Sequence, residues 1–210
     1  MTPTISSLRF TKPIQSIRPK GAPRFELWAP KLGRRVTLFD QSHVKFCAYL
    51  ESNPRISAYC ERPTYWQVGE ERYLIDFWFR TNHREIGIII GAKAKPGTAG
   101  VLASPSEKVI LRYVQPKSLM LRDVWIDNWM RILPYLSSNS RFVSDRLLND
   151  IEQAAKTVQT IGEIERDFQP NDVVLVRTAI FMLIHRGKLS AYELRFHDLG
   201  PRLHLTRVTS

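Results

Sequence analysis

Two runs of strand-forming residues, separated by a polar turn, constrain this chain more than any other feature. Arg72-Tyr73-Leu74-Ile75-Asp76-Phe77-Trp78-Phe79 is rich in aromatic and β-branched residues and reads as one strand carrying a single acid, Asp76. After the turn Thr81-Asn82-His83-Arg84, the run Glu85-Ile86-Gly87-Ile88-Ile89-Ile90 is apolar apart from its first residue. It leads directly into Gly91-Ala92-Lys93. Gly87 inside this second strand implies a bulge or a close backbone approach. An acid among apolar strand residues is costly to bury without a purpose, so Asp76 is either a site residue or a partner of local backbone donors.

At 210 residues the chain suits one large domain or two small ones, and 43% apolar residues can build a core. Lys and Arg number 31 against 20 Asp and Glu, a formal charge of +11. That balance favours an anionic partner, nucleic acid first and an acidic membrane surface second. No apolar run approaches the ~20 residues of a membrane span, and the N-terminus has no apolar signal core. A cytoplasmic protein with no membrane partner is therefore expected. Cys47 and Cys60 lack metal-ligand spacing and read as structural thiols of a reducing compartment.

Residues 1–35 hold eight Lys or Arg and one acid, Glu26, with five prolines interspersed. A long helix is excluded, and the stretch reads as an extended basic arm. Such an arm binds phosphates by counterion release without reading sequence. A solubilising tail is the other reading of residues 1–20, whereas Lys31, Arg34 and Arg35 are expected to meet DNA. From Gln41 to Asn53 the spacing of Val44, Phe46, Cys47, Tyr49 and Leu50 predicts an amphipathic helix stopped by Pro54. Short strands are expected over 55–59, 64–68 and 108–113, with a loop over 95–100. A helix, several strands and a mixed sheet thus fill residues 36–117.

Residues 118–210 read as helical. Val124, Trp125, Trp129, Ile132 and Leu133 mark a helix over 120–133, ended by Pro134. A second helix opens near Ser144 and runs through Val158. Thr160-Ile161-Gly162-Glu163 fits a capping box for a third, and Asn171 or Asp172 caps a fourth that stops at Gly187. Leu203–Val208 alternates like an edge strand. Helices followed by a small β segment give the order of a winged helix-turn-helix. The fourth helix is apolar nearly all round, so burial or packing on another subunit competes with DNA reading.

Nucleases of the restriction type need an Asp at the end of one strand and Glu-x-Lys or Gln-x-Lys on the next. The acids hold a divalent cation and the Lys helps orient the attacking water. Here Asp76 and Lys93 fill two slots, and Gly91 stands in the third. Taken in order, the motifs resemble the TnsA family, the endonuclease subunit of heteromeric cut-and-paste transposases. The likeness runs from about Arg34 to the C-terminus. Glu51-Ser52-Asn53-Pro54-Arg55-Ile56 looks like the family's helix exit, and counting back from Pro54 puts the family's helix Glu at His43. Arg62-Pro63 stands for Gln-Pro, Ile75-Asp76-Phe77 for Pro-Asp-Phe, and Gly91-Ala92-Lys93 for Glu-Val-Lys. Ile184-His185-Arg186-Gly187-Lys188-Leu189 is similar to part of that family's second domain.

The resemblance implies an α/β chain with a restriction-endonuclease-like mixed-sheet N-terminal domain and a helical, winged-helix-like C-terminal domain. It also implies double-stranded DNA, a partner transposase and an ATP-dependent transposition regulator as partners. His43, Asp76 and Lys93 then mark vestigial catalytic positions, with Asp76 the surviving metal ligand and Lys93 and Lys95 joining the phosphate contacts. Two of three carboxylates are replaced, so strand cleavage is expected to be impaired or lost, with Mg2+ required only if activity survives. Glu51, Glu61 and Glu85 are the acids placed to migrate into the site. The alternatives are an active endonuclease with a rearranged site and a winged-helix DNA-binding regulator.

Overall fold

The computed structural model describes residues 9–15, 18–68, 71–82, 84–91, 101–104 and 107–208. Lys93, Lys95 and the loop expected over 95–100 lie outside the described residues. The chain is mixed α/β and divides into two compact units. Unit 1 comprises Met1–Leu27, Lys31–Leu50 and Arg55–Leu121; unit 2 comprises Trp28–Pro30, Glu51–Pro54 and Arg122–Ser210.

The stretch expected as an extended basic arm is partly folded. β1 (Phe25–Ala29) and β2 (Arg34–Leu38) form a two-stranded sheet, turned at Gly33 with φ +61°. Helix α1 (Gln41–Ser52) follows. Asp40 starts it, its Oδ1 accepting the Ser42 N–H at 2.6 Å. A five-stranded sheet is built from β3 (Ile56–Glu61), β6 (Phe77–Thr81), β7 (Glu85–Ile90), β9 (Glu107–Val114) and β8 (Val101–Ser104), in that order. The first three are antiparallel neighbours, β7 and β9 are parallel, and β8 and β9 antiparallel. Strand β9 matches the one expected over 108–113, whereas β8 falls where none was expected.

The single strand anticipated over 72–79 is two. β5 (Glu71–Leu74) pairs with β4 (Tyr65–Val68) in a separate hairpin, whereas β6 joins the large sheet. The chain changes partner at Ile75 and Asp76: the Ile75 N–H donates to Thr64 O at 3.0 Å and the Asp76 N–H to Ile88 O at 2.8 Å. Residue alternation could not reveal this, because both halves suit a strand. At Gly87 the register with β6 and β9 is continuous, so there is no bulge. A Cβ there would lie 3.3 Å from Leu111 Cδ1 and 3.5 Å from Ile75 Cδ1, so the glycine permits close packing. Ala58, Cys60, Trp78 and Val109 cluster on one side of the sheet, with Phe10 set against Trp78. On the other side Phe46 of α1 meets Phe77, and Cys47 reaches Tyr59.

In unit 2, α3 (Asp123–Asn139) is preceded by the short α2 (Pro116–Met120) of unit 1 and does not stop at Pro134. Proline within a helix costs about 3 kcal/mol. Ile132, Leu133 and Leu136 on either side are buried, at about 1.5–3 kcal/mol each, so packing wins. A 3-10 turn (Ser140–Phe142) leads to α4 (Asp145–Ala154), capped by Ser144. Val158, expected on this helix, lies beyond its end and is exposed. Next come β10 (Gln159–Thr160), α5 (Ile161–Asp167) with the capping box of Thr160 and Glu163, and α6 (Val173–His185), capped by Asp172. β11 (Leu189–Ser190), a 3-10 turn (Tyr192–Arg195) and β12 (His204–Arg207) complete the unit. β12 pairs antiparallel with both β10 and β11, which makes it the central strand of three and not an edge.

Candidate functional site

The acid that sequence singled out sits where two elements meet. Asp76 precedes β6, and because β6 and β7 are antiparallel it lies beside the end of β7. Its Oδ2 accepts the Ile90 N–H at 2.6 Å, and its Oδ1 lies 3.0 Å from His43 Nε2 on α1. Its carbonyl accepts the Arg62 N–H at 2.8 Å. Three of the motif positions therefore converge, with His43 beside the Asp76 carboxylate and Arg62 bonded to its carbonyl. The fourth, Gly91, directly follows Ile90, and a Cβ on it would meet nothing within 4 Å.

His43 is anchored by its helix. Its ring lies 6.0 Å from that of Phe77, and its buried Nδ1 has no hydrogen-bond partner among the described residues, Asp40 Oδ1 being 3.7 Å away. Burial works to raise the Asp40 pKa, but the Ser42 hydrogen bonds and the nearby imidazole outweigh it and leave the carboxyl below its ordinary value. His43 Nε2 thus faces one carboxylate oxygen of Asp76, and no second carboxylate stands at that position. Asp76 Oδ2 is engaged by the Ile90 amide, and Oδ1 lies beside the imidazole.

None of the acids placed to migrate arrives. Glu61 is 1% exposed and takes a bidentate pair from Arg34, at 2.7 and 2.6 Å. Glu85 accepts from Trp78 Nε1 at 3.1 Å and pairs with Arg9 at 3.0 Å, at the opposite end of β7. Glu51, fully buried in unit 2, meets His185 Nε2 at 2.8 Å. Among the described residues no three Asp, Glu, His or Cys groups gather as a cation site. Magnesium wants several oxygens, and this set supplies one carboxylate, already hydrogen-bonded, and one imidazole nitrogen; it does not fit.

The cations expected to meet DNA divide. Lys31 donates to Leu50 O at 2.7 Å, and Arg34 is held by Glu61, which raises its pKa despite burial. Both are committed within the fold. Arg35 is exposed on β2. Sequence reasoning missed the Arg34–Glu61 pair, whose only signal was an acid in the apolar run Ile56–Glu61. Arg62, singled out by sequence only as part of Arg62-Pro63, has a φ of +42°, unusual for a non-glycine residue. The Arg62 guanidinium donates to Thr37 O at 2.6 Å and lies over Phe39; burial depresses its pKa.

In unit 2, α6 buries Val176 and every residue from Thr178 to Ile184. Arg177 forms a bidentate pair with Glu165, which raises its pKa. The exposed first turn offers Val173 and Val174 instead of cations. No helix among the described residues is long and apolar enough to cross a membrane.

No family model and no curated protein matches the chain.

Proposed function

We propose that this protein is a TnsA-like transposition protein that binds transposon-end DNA and a partner transposase without cutting. The observation that carries the reading is the contact of His43 with Asp76 beside Gly91. Positions matched to the family by sequence order alone meet in space, and the residues occupying them are unsuited to metal chemistry. The mixed sheet, with an acid beside the end of the neighbouring strand, supports a restriction-endonuclease-like reading of unit 1. In unit 2 the order α4-β10-α5-α6-β11-β12, with β12 between β10 and β11, supports a winged-helix-like reading. The net charge of +11 supports a polyanionic partner.

Two other readings have less behind them. An active endonuclease with a rearranged site needs a migrated acid, and Glu51, Glu61 and Glu85 are each engaged elsewhere. A sequence-reading regulator needs cations on the exposed part of α6, where Asp172, Val173 and Val174 stand. The burial of α6 within unit 2 accounts for its apolar sequence and leaves DNA contact to other surfaces of the unit.

The test is incubation of the protein, alone and with a transposase encoded beside it, with duplex carrying the transposon end and magnesium or manganese. Binding without cleavage is expected. Robust cleavage abolished by Asp76→Ala would overturn the proposal.

A further inference from the structure

We infer that unit 2 carries a pocket for a backbone phosphodiester of nucleic acid, built from Arg141, Arg186 and Ser140. A cavity of about 330 Å3 is lined by these residues together with Pro30, Leu136, Met182 and His185. The inference rests on the DNA-binding reading given above but places the contact on a different unit from Lys31, Arg34 and Arg35.

The charge balance of the cavity decides the ligand's sign. His185 is offset by the buried Glu51 at 2.8 Å. Arg141 and Arg186 have no carboxylate partner among the described residues, so two positive charges face one cavity. Arg141 stacks its guanidinium on the Phe142 ring, 4.6 Å from the centroid, which orients the fork and leaves its N–H edge free. The Ser140 hydroxyl has no hydrogen bond among the described residues and can donate.

The simpler account of the arginines is dipole compensation. Arg141 follows the end of α3 and Arg186 caps α6, where a cation gains about 0.3–1 kcal/mol. That account explains a cation at each end. It does not explain why both line one cavity beside an unused hydroxyl. Arginine and hydroxyl donors together are the chemistry of phosphate recognition. Pro30, Leu136 and Met182 add apolar wall that suits a deoxyribose and is of no use to a free phosphate.

The experiment measures duplex affinity across a salt series for the parent and for Arg141→Ala/Arg186→Ala. Both arginines are exposed, and an unchanged melting temperature in the variant establishes that its fold is intact. Removing the grip on one phosphate should lower the slope of log affinity against log salt by about 0.9. Arg141→Lys/Arg186→Lys should restore the slope while binding more weakly than the parent. In parallel, inorganic phosphate should raise the melting temperature of the parent more than that of the alanine variant. An unchanged slope in the alanine variant overturns the inference. If that slope is unchanged while stabilisation by phosphate disappears, the inference is also overturned and the cavity is assigned to a free phosphate. Failure of the parent itself to bind duplex sinks the DNA reading of the whole protein, a result distinct from either.

Discussion

His43 Nε2 lies 3.0 Å from Asp76 Oδ1, while the Ile90 amide holds the other oxygen at 2.6 Å. One carboxylate oxygen thereby accepts a backbone amide and the other faces an imidazole. Two acids at these positions would repel and draw in a divalent cation; an imidazole beside an acid does neither.

Placing acids at these positions should create a cation site. In the double variant His43→Glu/Gly91→Glu the new carboxylates repel Asp76, and space beside Gly91 accepts the side chain. Without metal, its melting temperature should fall below the parent's. Magnesium or manganese at about 100-fold its dissociation constant should return roughly 2.7 kcal/mol. Thermal melts with and without metal check this. An equal response in the parent would show that the positions do not form one site.

Arg34→Ala should behave as a core substitution despite its place in a basic segment. It strands Glu61, 1% exposed, without its bidentate partner. Removing one member of a buried pair costs about 3–5 kcal/mol. Arg34→Met with Glu61→Leu should recover most of the loss, measurable by denaturant unfolding. A single variant as stable as the parent contradicts the pairing.

Alkaline pH should weaken unit 1 through Cys60. Burial, then the adjacent Glu61, pushes its thiol pKa up to about 12 from an ordinary 9.0. The folded value exceeds the unfolded one, so its contribution is complete below about pH 9 and is lost as pH rises from there through about 12. Cys60→Ala should lose less stability than the parent between pH 9 and 11. Parallel stability profiles would refute the shift. Native Cys60 should also resist thiol reagents at pH 8, because the reactive thiolate is scarce.

Gly187→Ala should destabilise unit 2. The residue has φ +71°, which costs a side chain about 1–2 kcal/mol, and its new Cβ would lie 2.8 Å from Pro54 Cβ. A chemical denaturation midpoint matching the parent would mean that both the backbone and Pro54 relax freely.

Much of the fold was legible because its signals are local. Thr160 and Glu163 form the capping box their spacing implied, Asp172 caps α6, and α1 ends just before Pro54. Asp76 stood out as an acid among apolar neighbours. The split of the 72–79 strand and the passage of α3 through Pro134 were not legible. In each case a preference of the chain is overruled by tertiary partners: Thr64 and Ile88 at the first, the packed flank of Leu133 and Leu136 at the second.

Composition and residue order by themselves determined the charge, the placing of most helices and strands, and the positions that deserved scrutiny. Tertiary structure alone decided which charges remain available. Arg34 and Arg35 are neighbours of one type in a basic stretch, yet Arg34 is held by Glu61, 27 residues away, and Arg35 is exposed. His43 and Asp76, 33 positions apart in the sequence, come within 3.0 Å only when α1 packs against Phe77. Charge is a property of residues one at a time. Pairing, burial and the capacity to bind a cation depend on distance, and distances between remote residues exist only once the chain has folded.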